Sequence, residues 1–182
     1  MPAQFDSMGL RFLYPDNWTV APSEETEASS GMGATLDIPG GGFLSLEWSP
    51  AADVDEMISR IETTICEEYD DVERENTHWD LVSPDTPIID LRFYYLDLLI
   101  QCRFVLLTNL PAADRIAAQQ VFSQPTAAEG SNEEEADTPS LAAFTQGDPP
   151  VLVVQLQAES RDFDKNETVF AAIIKQLTEQ SL

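Results

Sequence analysis

Arg92 and Arg103 are the residues best suited to recognising a charged group, because a guanidinium offers fixed, planar donors to a carboxylate or phosphate. Both lie in the stretch from Ile88 to Leu107, the most regular part of the chain. Ile89, Leu91, Phe93 and Tyr95 alternate there with Ile88, Asp90, Arg92 and Tyr94. Downstream, Ile100, Cys102, Phe104 and Leu106 alternate with Leu99, Gln101, Arg103 and Val105. Period-two alternation predicts two strands, each with one buried face. A hairpin turning around Asp97 and Leu98 pairs 95 with 100, 93 with 102, 91 with 104 and 89 with 106, each pair apolar. On the other face this register sets Arg92 opposite Arg103, with Tyr94 beside Gln101 and Asp90 beside Val105. Like charges so placed repel unless an anion or carboxylate lies between them. Two readings stand: an acid of this chain, Asp90 included, bridges the pair, or Arg92, Tyr94 and Arg103 contact a bound anion or ligand carboxylate.

Other chemistry finds little support. His78 is the single histidine, set beside Trp79 at the expected start of a strand, and any Ser-His-Asp or Cys-His site would need it. A Gly-x-Ser-x-Gly elbow is absent. Cys66 and Cys102 have no Cys-x-x-Cys spacing, and the zinc-ligand pattern is missing. The acidic run Glu67 to Asp71 lacks the Asp-x-Asp-x-Asp-Gly spacing of a calcium loop. Gly40, Gly41 and Gly42 after Pro39 lack the Gly-Lys-Ser/Thr of a phosphate loop and read as a hairpin turn. Paired carboxylates would suit glycoside hydrolysis, but abundance of acids singles out no pair. The expectation is a protein without catalytic residues, metal or cofactor.

Those residues sit in a chain of 182 residues with 33 acids, 9 bases and a formal net charge of -24. Such a balance excludes the basic footprint of a nucleic-acid binder and attraction to anionic membranes. Solubility, or a salt-rich habitat, accounts for the acidity; an acidic face for a basic partner is the functional alternative. With 43% hydrophobic residues, nine Phe, three Trp and four Tyr, the chain can build a core of its own. The first residues show no basic region followed by an apolar one, so no secretory signal is expected. Arg92, Asp97 and Arg103 interrupt the longest apolar stretch, which excludes it as a membrane span. A cytoplasmic protein with two reduced thiols is the expectation.

The elements that must position the arginines follow from pattern. Leu10 to Tyr14 reads as a strand stopped by Pro15, and Trp18 to Val20 resumes it after a turn. Residues 22 to 33 read as a loop. Thr35 to Ile38 and Phe43 to Trp48 are strands flanking the glycines. Asp53 with Glu56 marks a helix start, and Val54, Met57, Ile58, Ile61, Ile65 and Tyr69 share its apolar face. A helical patch is expected over 112–122, then a Pro-, Ala- and Glu-rich insertion over 124–149. A strand over 151–158 leads to a final helix opening near Asp164, with Glu167 at the capping-box position and Val169, Phe170, Ile173, Ile174 and Leu177 buried. The whole, 1–182, reads as one domain.

The opening Phe12-Leu-Tyr14-Pro15-Asp-Asn-Trp18-Thr-Val20 resembles the F-x-Y/F-P-x-x-W-x-V opening of the PsbP/Mog/DcrB-like family. Phe170 to Leu177 looks like that family's closing helix, and the resemblance runs from about residue 4 to 181, excluding 111–149. It implies an α+β fold, an antiparallel sheet sandwiched by helices, with Phe12, Tyr14 and Trp18 in the core and Pro15 setting the turn. Its members include photosystem II extrinsic subunits, a Ran-binding nuclear transport factor and bacterial lipoproteins; certain type VI secretion chaperones share the fold. The implied function is a non-catalytic, chaperone-like or adaptor module whose partner is another protein with a basic or apolar segment. A small-molecule or anion-binding domain built on Arg92, Tyr94 and Arg103 is the second reading, and a carboxylate-dependent enzyme the third.

Overall fold

In the computed structural model, residues 1–21, 33–49, 53–75, 79–80, 82–108, 110 and 150–179 are described. The expected helix over 112–122, the insertion over 124–149, residues 22–32 of the expected loop over 22–33 and His78 lie outside them; Gly33, expected in that loop, begins a strand instead. The chain is mixed α+β. Its main sheet has seven antiparallel strands in the order β3-β4-β5-β9-β8-β7-β6. These are β3 (Thr19–Val20), β4 (Gly33–Ile38), β5 (Gly42–Ser49), β6 (Glu73–Glu75), β7 (Ile88–Tyr95), β8 (Leu98–Leu107) and β9 (Val151–Glu159). A separate hairpin joins β1 (Ala3–Ser7) to β2 (Leu10–Tyr14). The helices are α1 (Val54–Glu68) and α2 (Ser160–Glu179).

Strand pleating divides the core in two. Leu44, Leu46, Val105, Leu107, Leu152, Val154 and Leu156 point to one face, where they meet Phe163, Phe170, Ile173, Ile174 and Leu177 of α2. The β1–β2 hairpin joins this side through Phe5 and Phe12, whose rings stack at 4.8 Å. Ile89, Leu91, Phe93, Cys102, Phe104 and Leu106 point the other way, onto Met57 and Ile65 of α1. The central sheet therefore lies between two helices. Asp53 caps α1, its carboxylate accepting from the Asp55 and Glu56 amides at 2.9 and 3.2 Å. Val54, Ile58, Ile61 and Tyr69 pack half-buried beside Met57 and Ile65, as their spacing predicts.

The structure departs from the expected pattern at the start of α2 and at Tyr14. The final helix opens at Ser160, directly after β9, not near Asp164. Glu167 is consequently well inside the helix, where it cannot cap. Tyr14 is half-buried against the core that encloses Phe12 and Trp18. Pro15 does sit in a turn, its carbonyl accepting from the Trp18 amide at 3.0 Å.

The outer edge of β2 ends on a side chain rather than a strand. The Gln176 amide on α2 accepts from the Leu13 N–H at 2.8 Å and donates to the Leu13 carbonyl at 3.3 Å. It thereby replaces one peptide of a neighbouring strand. Trp48 Nε1 donates to the Met8 carbonyl at 3.1 Å, fixing the β1–β2 turn against β5.

The three glycines have steric roles. Gly40 and Gly41 adopt φ of 100° and 90°, which side chains rarely tolerate, and turn β4 into β5. Gly42 lies against β9: a Cβ there would fall 2.8 Å from the Gln157 carbonyl oxygen and 2.9 Å from Ala158 Cβ. Gly42→Ala is therefore expected to destabilise the protein by about 1–3 kcal/mol, read as a lower urea midpoint. Gly33→Ala, with its nearest neighbour 3.4 Å away, serves as the comparison; equal midpoints would show that β5 and β9 do not approach so closely.

Candidate functional site

The β7–β8 hairpin turns on two residues, Leu96 and Asp97, with Tyr95 facing Leu98. Both turn residues have left-handed backbones, φ 48° and 63°, the geometry of a type I′ turn. The register differs by two residues from the one the alternation suggests. Phe93 faces Ile100, Leu91 faces Cys102 and Ile89 faces Phe104, so every inward pair is still apolar. A two-residue shift preserves faces, and for that reason alternation could not detect it.

On the opposite face the shift changes the chemistry. Arg103 faces Asp90, and Arg92 faces Gln101; the two arginines are not opposed. Arg103 Nε donates to Asp90 Oδ1 at 2.7 Å and its terminal nitrogen to Asp90 Oδ2 at 2.8 Å, a bidentate fork. The other terminal nitrogen donates to Glu167 Oε1 of α2 at 2.7 Å. Trp79 and Phe163 flank the guanidinium, 4.4 and 5.2 Å from ring centroid to Cζ. Trp79 stacks in turn on Phe170 of α2 at 5.3 Å. Asp90 and Arg103 are 2% and 4% exposed. Burial works to lower the Arg103 pKa, but the hydrogen bonds and charges of Asp90 and Glu167 outweigh it, so the net shift is upward.

The three residues singled out from sequence thus have separate fates. Arg103 is a buried structural cation whose charge two carboxylates already oppose. Arg92 is half-buried and reaches Glu75 of β6 at 2.7 Å. Tyr94 faces Leu99 and is exposed. Of the two readings of the arginine face, the internal acid is the one the geometry realises, by direct pairing rather than by bridging two arginines.

Sequence reasoning missed a surface feature of the same hairpin. Tyr94, Tyr95, Leu96 and Leu98 are 63%, 52%, 78% and 46% exposed, clustered at the turn. Tyr69, at the end of α1, stacks on Phe93 at 4.1 Å and meets Tyr95 edge-on at 6.0 Å. Glu67, Glu68, Asp70 and Asp71 adjoin Tyr69 in the chain. Burial and the adjacent Glu68 carboxylate raise the Tyr69 pKa. The available signal was leucine in a turn, in the run Leu96-Asp97-Leu98 that separates the two strands.

Elsewhere a shallow apolar recess, about 510 Å³, lies between Leu13, Tyr14 and Pro15 of the first hairpin and Thr168, Val169 and Ala172 of α2. Among the described residues no three His, Cys, Asp or Glu side chains are grouped to hold a metal ion. Among them, no helix is long and apolar enough to cross a membrane. Both cysteines are free: Cys66 exposed, Cys102 buried beneath α1. No family model and no curated protein matches the chain.

Three measurements test these contacts. Arg103→Met removes the guanidinium that opposes the buried Asp90 carboxylate and is expected to cost about 3–5 kcal/mol, whereas adding Asp90→Leu recovers most of the loss. Denaturant midpoints of the single and double variants decide it; an unrecovered double variant would show that the pair adds net stability besides selecting the register. Burial raises the Cys102 pKa from 9.0 to about 12. A thiol reagent at pH 8 should therefore label Cys66 alone in the native protein and both cysteines in urea. Above pH 9 the unfolded thiol loses its proton while the native one keeps it, so stability declines with rising pH, and Cys102→Ala should lessen that slope.

Proposed function

We propose that this chain is a non-catalytic, cytoplasmic protein-binding module, adaptor or chaperone-like, on a divergent Mog/PsbP-like scaffold. An antiparallel sheet between helices, a buried Phe12 and Trp18, and a turn at Pro15 support the scaffold. The observation that carries the function is the exposed cluster Tyr94, Tyr95, Leu96 and Leu98, which meets Tyr69 in the acidic segment that ends α1. Exposed aromatic and leucine side chains grouped on an otherwise strongly acidic chain leave apolar surface that the fold does not bury and that suits an interaction surface. Acids around them favour a partner segment that is basic as well as apolar. The anion-binding alternative loses its second arginine, because Arg103 is committed to Asp90 and Glu167.

The test is affinity capture from the source organism's lysate with the wild-type protein and with a Tyr94→Ser, Tyr95→Ser, Leu96→Asn variant. A stoichiometric partner retained by the wild type and by Leu13→Ser, but lost from the hairpin variant, is the expected result. Equal recovery by both proteins would remove the hairpin from the interface, and no partner at all would count against the reading.

A further inference from the structure

The hairpin tip has a shape that says more about its partner, given the protein-binding reading on which this inference rests. β6 ends opposite Arg92, where Glu73 pairs. β9 ends opposite Ile100, where Glu159 pairs before α2 begins. Among the described residues, the segments 94–95 and 98–99 therefore pair only with each other. They form a two-stranded arm that projects past its neighbours on both sides.

Leu96 occupies the first turn position of that arm with φ 48°. Type I′ turns favour Asn or Gly at such positions, because a left-handed backbone crowds a bulky side chain. Packing does not compensate, since the Leu96 side chain is 78% exposed. Folding alone would be better served by Asn-Gly at 96–97. Strain combined with exposed apolar surface marks a position kept for contact with something else.

We infer that the β7–β8 arm is an insertion element, with Leu96 as the anchor for a concave apolar pocket rimmed by Lys or Arg on the partner protein. A convex tip buries its apolar surface fully only in a concave site, where anchors contribute most to affinity. Charge sets the rim. Asp97 lies in the turn itself, and Glu67, Glu68, Asp70 and Asp71 flank Tyr69, which touches Tyr95. Two arginines near the base are each engaged with an acid, Arg92 with Glu75 and Arg161 with Glu159. A second copy of this chain is a poor occupant: its tip would bring the same acids face to face, on chains of net charge -24 each.

Photocrosslinking tests this with the full chain carrying benzoylphenylalanine in place of Leu96, and in separate proteins in place of Leu13 or Val20, two other exposed apolar positions. The Leu96 probe is expected to crosslink one protein, within an apolar pocket bordered by Lys or Arg when the crosslinked peptide is mapped. Excess wild-type protein should abolish that crosslink. A Leu96→Asn, Asp97→Gly variant, expected to melt no lower than the wild type, should compete at least tenfold less well. Capture from Leu13 or Val20 but not Leu96 would overturn the insertion model while leaving a protein-binding module. Capture from none of the three would remove both. Crosslinking to a second copy, mapping to a flat or acidic surface, or full competition by the variant would each overturn the assignment of Leu96 as anchor.

Discussion

The bidentate pair between Asp90 and Arg103 is the interaction on which the arrangement of the central sheet and its second helix depends. Two charges buried this deeply cost several kcal/mol each to desolvate, and only close, correctly oriented partners offset that. Satisfying the pair fixes three things together: the register of β7 on β8, the height of α2 over the sheet through Glu167, and the position of Trp79 against the guanidinium. Apolar packing could tolerate a slip of two residues along the hairpin, since every inward pair would remain apolar. The ion pair cannot.

Turn geometry and the ion pair agree on that register. A two-residue connection at Leu96 and Asp97 demands left-handed backbone at both positions, and it places Asp90 opposite Arg103 without further adjustment. The first hairpin uses the same device with Met8 and Gly9, φ 56° and 74°, then anchors its turn through Trp48. In the second hairpin Tyr69 packs on Phe93 and Tyr95 below the turn, while Leu96 itself stays 78% exposed. The strands that flank it stop short, and its apolar residues face solvent.

This difference separates the parts of the molecule that fold from the part proposed to bind. On the α2 face the charged groups are spent on one another, and the neighbouring aromatic rings enclose them. At the far end of the same hairpin, tyrosine and leucine side chains stand exposed among carboxylates. One supersecondary unit thus carries both the most constrained polar contact of the core and the least accounted-for apolar surface. Rigidity at its base would hold the tip in a fixed pose, which limits the entropy lost when a partner docks.

Much of the fold was legible from sequence because periodicity reports which face of an element is buried. The α1 stripe, the alternation in β5, β7, β8 and β9, and the turn at Pro39 to Gly41 needed only local rules of spacing and backbone freedom. The start of α2 was misplaced because Asp164 and Glu167 resemble a capping pair, whereas the helix continues straight from β9 and draws Glu167 inward to Arg103. The hairpin register, and with it the fate of Arg92 and Arg103, was beyond local rules: a pattern of period two is unchanged by a shift of two residues. Sequence by itself determined the acidic character, the amphipathic elements and the list of arginines with a special place. Which charge meets which follows from the packed chain, because the choice belongs to groups distant in sequence whose burial is tolerated only when they coincide in space.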